Sequence, residues 1–273
     1  MTMSDESPTP LTLREAVAAM RIHAPSERNP KLAAFLKAAN EDTALKARWH
    51  VSQINADRLD MSDHSWVHLQ IVLNRALHLF RLLHRRGVRS AMEDSYGMDA
   101  DDAEVVIAGG CLLHDIGMSI HRADHEAFSL FLALGHLDGL LAGYEEPEKT
   151  VVVSEIEHAI IGHRSDGRPL TLEAGVVRVA DALDMEHGRS RVAIERLPNM
   201  HALSAAAINE VRIIPSERKL VRVEIDMNNS AGVFQVDNLL AAKLRGSGLE
   251  DYVEVVARIE SEHEKRLLRV FEI

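Results

Sequence analysis

The chain is 273 residues long, 46 % apolar and 4 % aromatic, and carries a formal net charge of −11, with 42 acidic against 31 basic side chains. That length and apolar content suit one large domain, or a main domain with a smaller one, and the acidic balance argues against a broad basic surface for nucleic acid. A single cysteine, Cys111, excludes an intrachain disulfide framework and makes a reducing cytoplasm the expected location, and no run of about 18 apolar residues is present for a membrane span.

Residues 1–10, "MTMSDESPTP", are acidic and carry two prolines. They read as a disordered tail without the basic start and apolar core of a signal peptide. From Leu11 to about Leu59 apolar residues recur at three and four positions, as in "LREAVAAM" and "PKLAAFLKAA". This predicts an N-terminal helical extension over 11–59, broken near Pro25 and Pro30. "MSDHSWVHLQIVLNRALHLFRLLHRRG" predicts a long helix capped by Ser62 or Asp63 and stopped by Gly87. Further helices are expected from about Ala100 to Asp115, in "HEAFSLFLALGHLDGLLAG", in "PEKTVVVSEIEHAIIGHR" and in "TLEAGVVRVADALDME". Successive helices with no strand between them describe an all-helical domain.

The pattern changes near residue 205. "NEVRIIPSERKLVRVEIDM" reads as two β-branched strands joined by a polar turn at Ser216-Glu217. "VDNLLAAKLRGSG" reads as a helix ended by Gly246 or Gly248. "DYVEVVARIESEHEKRLLRVF" fits a strand followed by a helix, or one helix. Residues 205–273 are therefore expected to form a small α+β appendage.

The chain holds 15 histidines, the most informative item in its composition. His64, His114, Asp115, His125, His163 and Asp181 fall on five successive segments, each near a helix end. In helical bundles metal sites are built from side chains on facing helices. A mixture of imidazoles and carboxylates suits Mn²⁺, Fe²⁺, Zn²⁺, Ni²⁺ or Co²⁺ better than Mg²⁺, which prefers oxygen. His114-Asp115 ends the apolar run Cys111-Leu112-Leu113, where a buried charge needs a partner or a metal. His68, one turn after His64, reads as a packed neighbour. His121 and His125 share a face if their segment is helical, and one ligand between them suffices. His158 and His163 lie roughly 140° apart on a 3.6-residue turn and so point to different places. Asp184 competes with Asp181.

"DHSWVHLQIVLNRA", "GGCLLHDIGM", "DHEAFS", "IIGHRSDG" and "VVRVADALD" together resemble the ordered H…HD…D motifs of the HD superfamily of metal-dependent phosphohydrolases. The resemblance covers roughly residues 60–190. It implies a mainly α fold, an HD-domain helical bundle over 60–200 with the α+β appendage at its C-terminus. It implies that His64, His114, Asp115 and Asp181 hold a metal and that Asp115 is catalytic. His125 and His163 resemble the added histidines of binuclear members such as the HD-GYP phosphodiesterases and the ribonuclease Y catalytic domain, with Asp115 then bridging two metals. Those members carry "HDIGK" where this chain has Met118, adjacent histidines where it has His163-Arg164, and a GYP tripeptide that it lacks.

The expected activity is hydrolysis of a phosphomonoester or phosphodiester of a nucleotide or similar small molecule, through water activated by one or two divalent metals. Arg122, Arg164, Arg189 and Arg191 lie near the ligands in sequence and are candidates for binding phosphate. Met118 motivates an alternative, a metal-containing nucleotide-binding regulator with little turnover. A ribonuclease and an HD-type di-iron oxygenase stand further off. The expected partner is a small phosphorylated substrate, not nucleic acid or a membrane, and a homodimer is expected from apolar faces on the N-terminal helices and the appendage.

Overall fold

The computed structural model describes residues 11–186, 204–259 and 270–272. The fold is mainly helical. Short α1 (Leu13–Ala19) precedes α2 (Pro30–Glu41) and α3 (Thr43–Arg58). The break expected near Pro25 and Pro30 is present, since α1 ends at Ala19 and α2 begins at Pro30. Pro30 occupies the first turn of α2, where a missing N–H costs nothing, and Asn29 caps it through the Leu32 N–H. A further break falls at Asp42, whose carboxylate caps α3.

The bundle continues with α4 (Trp66–Arg85), α5 (Ala91–Tyr96), α6 (Ala100–Leu113), α7 (His125–Leu140), α8 (Glu148–Gly162) and α9 (Leu172–Leu183). Its centre is α6, in which every residue from Asp102 to Leu113 is buried. A helix apolar on all sides must be enclosed, and α4, α8, α9 and α2 pack around it. The long helix starts later than the sequence suggested. Asp63 spends its carboxylate on the Ser65 N–H, and Ser65 is the cap, so His64 precedes α4 instead of riding on it.

The C-terminal region contains the expected hairpin. Strands β1 (Ile208–Pro215) and β2 (Val221–Met227) pair antiparallel, with Val211 opposite Ile225. A helical segment, π-type over Gln235–Ala241 and α-type over Ala242–Leu244, is labelled α10. It carries the chain to β3 (Val253–Ile259), which pairs parallel to β2, as a crossover helix permits. The segment that fitted either a strand or a helix is thus a strand through Ile259; residues 260–269, where a helix was the alternative, lie outside the described residues. Strand β4 (Val270–Glu272) completes a sheet ordered β1-β2-β3-β4. Val223 and Ile225 of β2 and Val255 of β3 join the same continuous apolar core as Leu73 of α4 and Ile107 of α6. The sheet unit lies against the bundle, β1 and β2 on α4 and α10 on α9. Among the described residues no helix is long and apolar enough to cross a membrane.

Candidate metal centre

The helix ends converge on one cluster. α6 stops at Leu113, so His114 caps its C-terminus and Asp115 stands just beyond. The carbonyls that a helix end leaves unpaired are taken up one by one. Trp49 Nε1 donates to Leu112 O at 3.0 Å, Ser129 Oγ to His114 O at 2.6 Å and Ser52 Oγ to Asp115 O at 3.3 Å. Gly117 follows because the turn of residues 116–119 presses against the start of α7: a Cβ at this position would overlap the His125 carbonyl oxygen. The glycine serves close approach.

The tautomers of several imidazoles follow from their partners. His114 Nδ1 lies 2.9 Å from Cys111 O, His163 Nδ1 2.5 Å from Ile160 O and His64 Nδ1 2.7 Å from Ser62 O. A carbonyl only accepts, so each Nδ1 carries a proton and Nε2 is the ring atom left to offer a lone pair to a metal. His68 Nδ1 lies 2.6 Å from Asp184 Oδ2, the carboxylate–histidine pairing that orients metal-binding imidazoles. The Nε2 atoms then turn to carboxylates. Asp115 Oδ2 is 3.3 Å from His114 and 3.7 Å from His68, while Oδ1 is 3.1 Å from His125 and 3.8 Å from His163. Asp181 Oδ1 is 3.4 Å from His68 and 3.8 Å from His114.

His114 Nε2 is buried with no hydrogen-bond partner among the described residues. A lone pair facing carboxylate oxygens is unfavourable until a cation sits between them. The chemistry of the donors therefore fits a divalent metal. Among the described residues, three overlapping groups have ligand atoms within 4.8 Å of one another: His68, His114 and Asp181; His114, Asp115 and His163; His125, Glu126 and His163. Burial alone would raise the Asp115 carboxyl, but the imidazoles of His114, His125 and His64 outweigh it and hold it well below the usual carboxylate range. Burial, with His114 and Lys243 nearby, keeps His163 well below the usual imidazole range, so its ring is neutral and able to ligate.

The structure brings together His114, Asp115, His125, His163 and Asp181. It places the first histidine differently. His64 lines the adjoining cavity with its ring 5.8 Å from that of His68, outside all three groups, and His68 takes its place. The available signal was burial: His68 lies on the buried stripe of α4 with Leu69, Val72 and Leu73, a position held more firmly than a turn ahead of the helix. Asp184 is not a rival of Asp181 but the partner of His68. Glu126 and Lys243 were missed. Lys243 Nζ contacts Asp181 Oδ2 across 62 positions of sequence, which no local pattern reveals. His121 and His158 stand apart, their ring nitrogens accepting from the Ala123 and Leu170 N–H groups.

A cavity of about 450 Å³ opens onto Asp115, His125, His163 and Asp181. Of the arginines named from the sequence, Arg122 and Arg164 line it; Arg189 and Arg191 lie outside the described residues. Met118 is buried, does not line the cavity, and gives its carbonyl to Asn55.

Two comparisons bear on this site. A family described as HD domain matches residues 72–186. That span contains His114, Asp115, His125, His163 and Asp181 and begins four residues after His68. The chain is also similar to the uncharacterized protein MJ1020 of Methanocaldococcus jannaschii, 35 % identical over 237 residues, covering 86 % of this chain and 87 % of the relative.

Proposed function

The chain belongs to the HD domain family, and on that premise we propose that it is a metal-dependent phosphohydrolase acting on a phosphomonoester or phosphodiester of a nucleotide or similar small molecule. The observation that carries this reading is the division of Asp115: one oxygen faces His114 and His68, the other His125 and His163. That division supports two adjacent metal positions sharing one carboxylate. His68, His114, Asp115 and Asp181 would hold one; Asp115, His125, His163 and Glu126 would hold the second. Mn, Fe, Zn, Ni or Co suits these donors better than Mg. A bound divalent metal supplies Lewis acidity, lowering the pKa of water and polarising a phosphoryl oxygen.

The chain's own residues do the rest. Asp115 is the group on which both positions depend. Asp184 fixes the ring of His68. Arg122 and Arg164 offer guanidinium forks to phosphate oxygens in the cavity. A cavity of that size lies within the usual ~300–1,000 Å³ range of small-molecule sites, which favours a nucleotide over a polymer. With one buried thiol, the cytoplasm is the proposed location.

Metal analysis of the purified protein, followed by phosphatase and phosphodiesterase assays with added Mn²⁺, tests the reading. Bound transition metal and hydrolysis are expected, both lost in His114→Ala and Asp115→Ala. His68→Ala should lose metal where His64→Ala keeps it. Protein that takes up no transition metal, or an Asp115→Ala variant that retains it, would sink the proposal.

A further inference from the structure

Part of the cavity wall comes from outside the HD domain match. Ala205, Gln235, Leu239 and Lys243 belong to the C-terminal unit and line the cavity with the bundle residues. Of these, Lys243 reaches the carboxylates. Its ammonium contacts Asp181 Oδ2, whereas Asp181 Oδ1 faces His68 and His114. The two oxygens of one carboxylate thus serve different partners, and a cation on the imidazole side leaves the lysine its own.

The turn that carries Lys243 is fastened to the helix that carries Asp181. Arg178 sits three residues before Asp181 on α9 and is 2 % exposed. Its Nε donates to Lys243 O at 2.9 Å and its Nη2 to Ala242 O at 3.4 Å and Ser165 O at 3.0 Å. Its Nη1 donates to Arg164 O and, at 3.3 Å, to Gly162 O. One buried guanidinium therefore spaces three things: the Lys243 turn, the loop after His163, and α9 itself. One turn earlier on α9, Gly175 lets the backbone at Ser247 approach so closely that a Cβ would overlap the Ser247 carbonyl oxygen.

Holding a long cationic side chain in one place costs rotamer entropy and solvation. A simple counter-ion for Asp181 would not need a separate structural unit or a buried clamp. This one stands with Arg122 and Arg164 around a single cavity whose inner wall is carboxylate and imidazole. Three cations facing such a wall suit an anion held between them and a metal. We propose that Lys243 is a substrate-binding residue, its ammonium donating to a non-bridging oxygen of the bound phosphate, with Arg178 as the residue that positions it. The inference rests on the phosphohydrolase reading and makes the C-terminal unit a wall of the active site.

Titration of inorganic phosphate into Mn²⁺-loaded protein by calorimetry tests this, with metal content and thermal unfolding measured in parallel. Lys243→Met and Lys243→Gln should weaken phosphate binding by roughly 10- to 100-fold, the equivalent of one charged hydrogen bond. Lys243→Arg should retain most of the affinity, and metal content should stay at the wild-type level in all three. Unchanged phosphate binding in the folded Met and Gln variants would overturn the proposal and leave Lys243 a counter-ion of Asp181. Loss of metal together with phosphate would also overturn it, by showing that the lysine supports the metal ligands. Metal-loaded wild-type protein that binds no phosphate would reject the phosphohydrolase reading along with it.

Discussion

Two regions outside the HD domain match approach the same centre in different ways. α3, before it, works on the backbone. Trp49, Ser52 and Asn55 donate to the carbonyls of Leu112, Asp115 and Met118, and Gln53 accepts the N–H of His64. The C-terminal unit works with side chains: it contributes one ammonium to Asp181 and part of the cavity lining. The difference teaches how the labour is divided. A helix C-terminus that presents ligands has carbonyls to satisfy, and a preceding helix can do this from behind. On the proposed function, charge for a bound anion would come from the cavity lining, to which the appendage contributes Lys243.

The sharpest way to break this comparison is Trp49→Ala. Trp49 is 1 % exposed and buried in the core as well as bonded to Leu112 O, so the variant should lose about 3–5 kcal/mol of stability. Urea unfolding of metal-free protein measures it; a loss under about 1 kcal/mol would mean that α3 is no support. Asp184→Asn comes next. It keeps the shape of the side chain but removes the charge that orients His68, and should weaken metal binding about 10- to 100-fold with little change in metal-free stability. Competition with a chelating dye reads the affinity. Asn55→Ala is milder. It frees the Met118 carbonyl and should cost about 1 kcal/mol in the same unfolding experiment, while phosphate binding, which belongs to the opposite wall, stays at the wild-type level. The smallest effect is expected at Cys111. Burial, reinforced by Asp181, pushes its thiol well above the usual range, so it stays protonated at pH 8. Alkylation should be negligible in the native protein and rapid once urea unfolds it; fast labelling of the folded form would show that α6 opens locally.

The fold was largely legible where one face of an element is buried. The three-to-four spacing announced the bundle helices, and the alternation in "VRII" and "VRVEI" announced β1 and β2. Boundaries were harder, because caps compete. Asp63 and Ser65 both suit a helix start, and only the hydrogen bonds decide that Ser65 takes it.

At the site, the sequence by itself determined which donor types are present. Imidazoles and carboxylates placed in order at the ends of apolar helices pointed to a cation, and it was the resemblance to the HD superfamily that singled out His114, Asp115, His125, His163 and Asp181 as its proposed ligands. The tertiary structure alone decided which of these side chains lie together. His68 lies 3.4 Å from Asp181, whereas His64 precedes the α4 cap at Ser65 and lies outside the three clustered groups. Lys243 reaches Asp181 because Arg178 binds its turn to α9. Both depend on contacts between segments far apart in the chain, and such contacts leave no periodic mark on either segment.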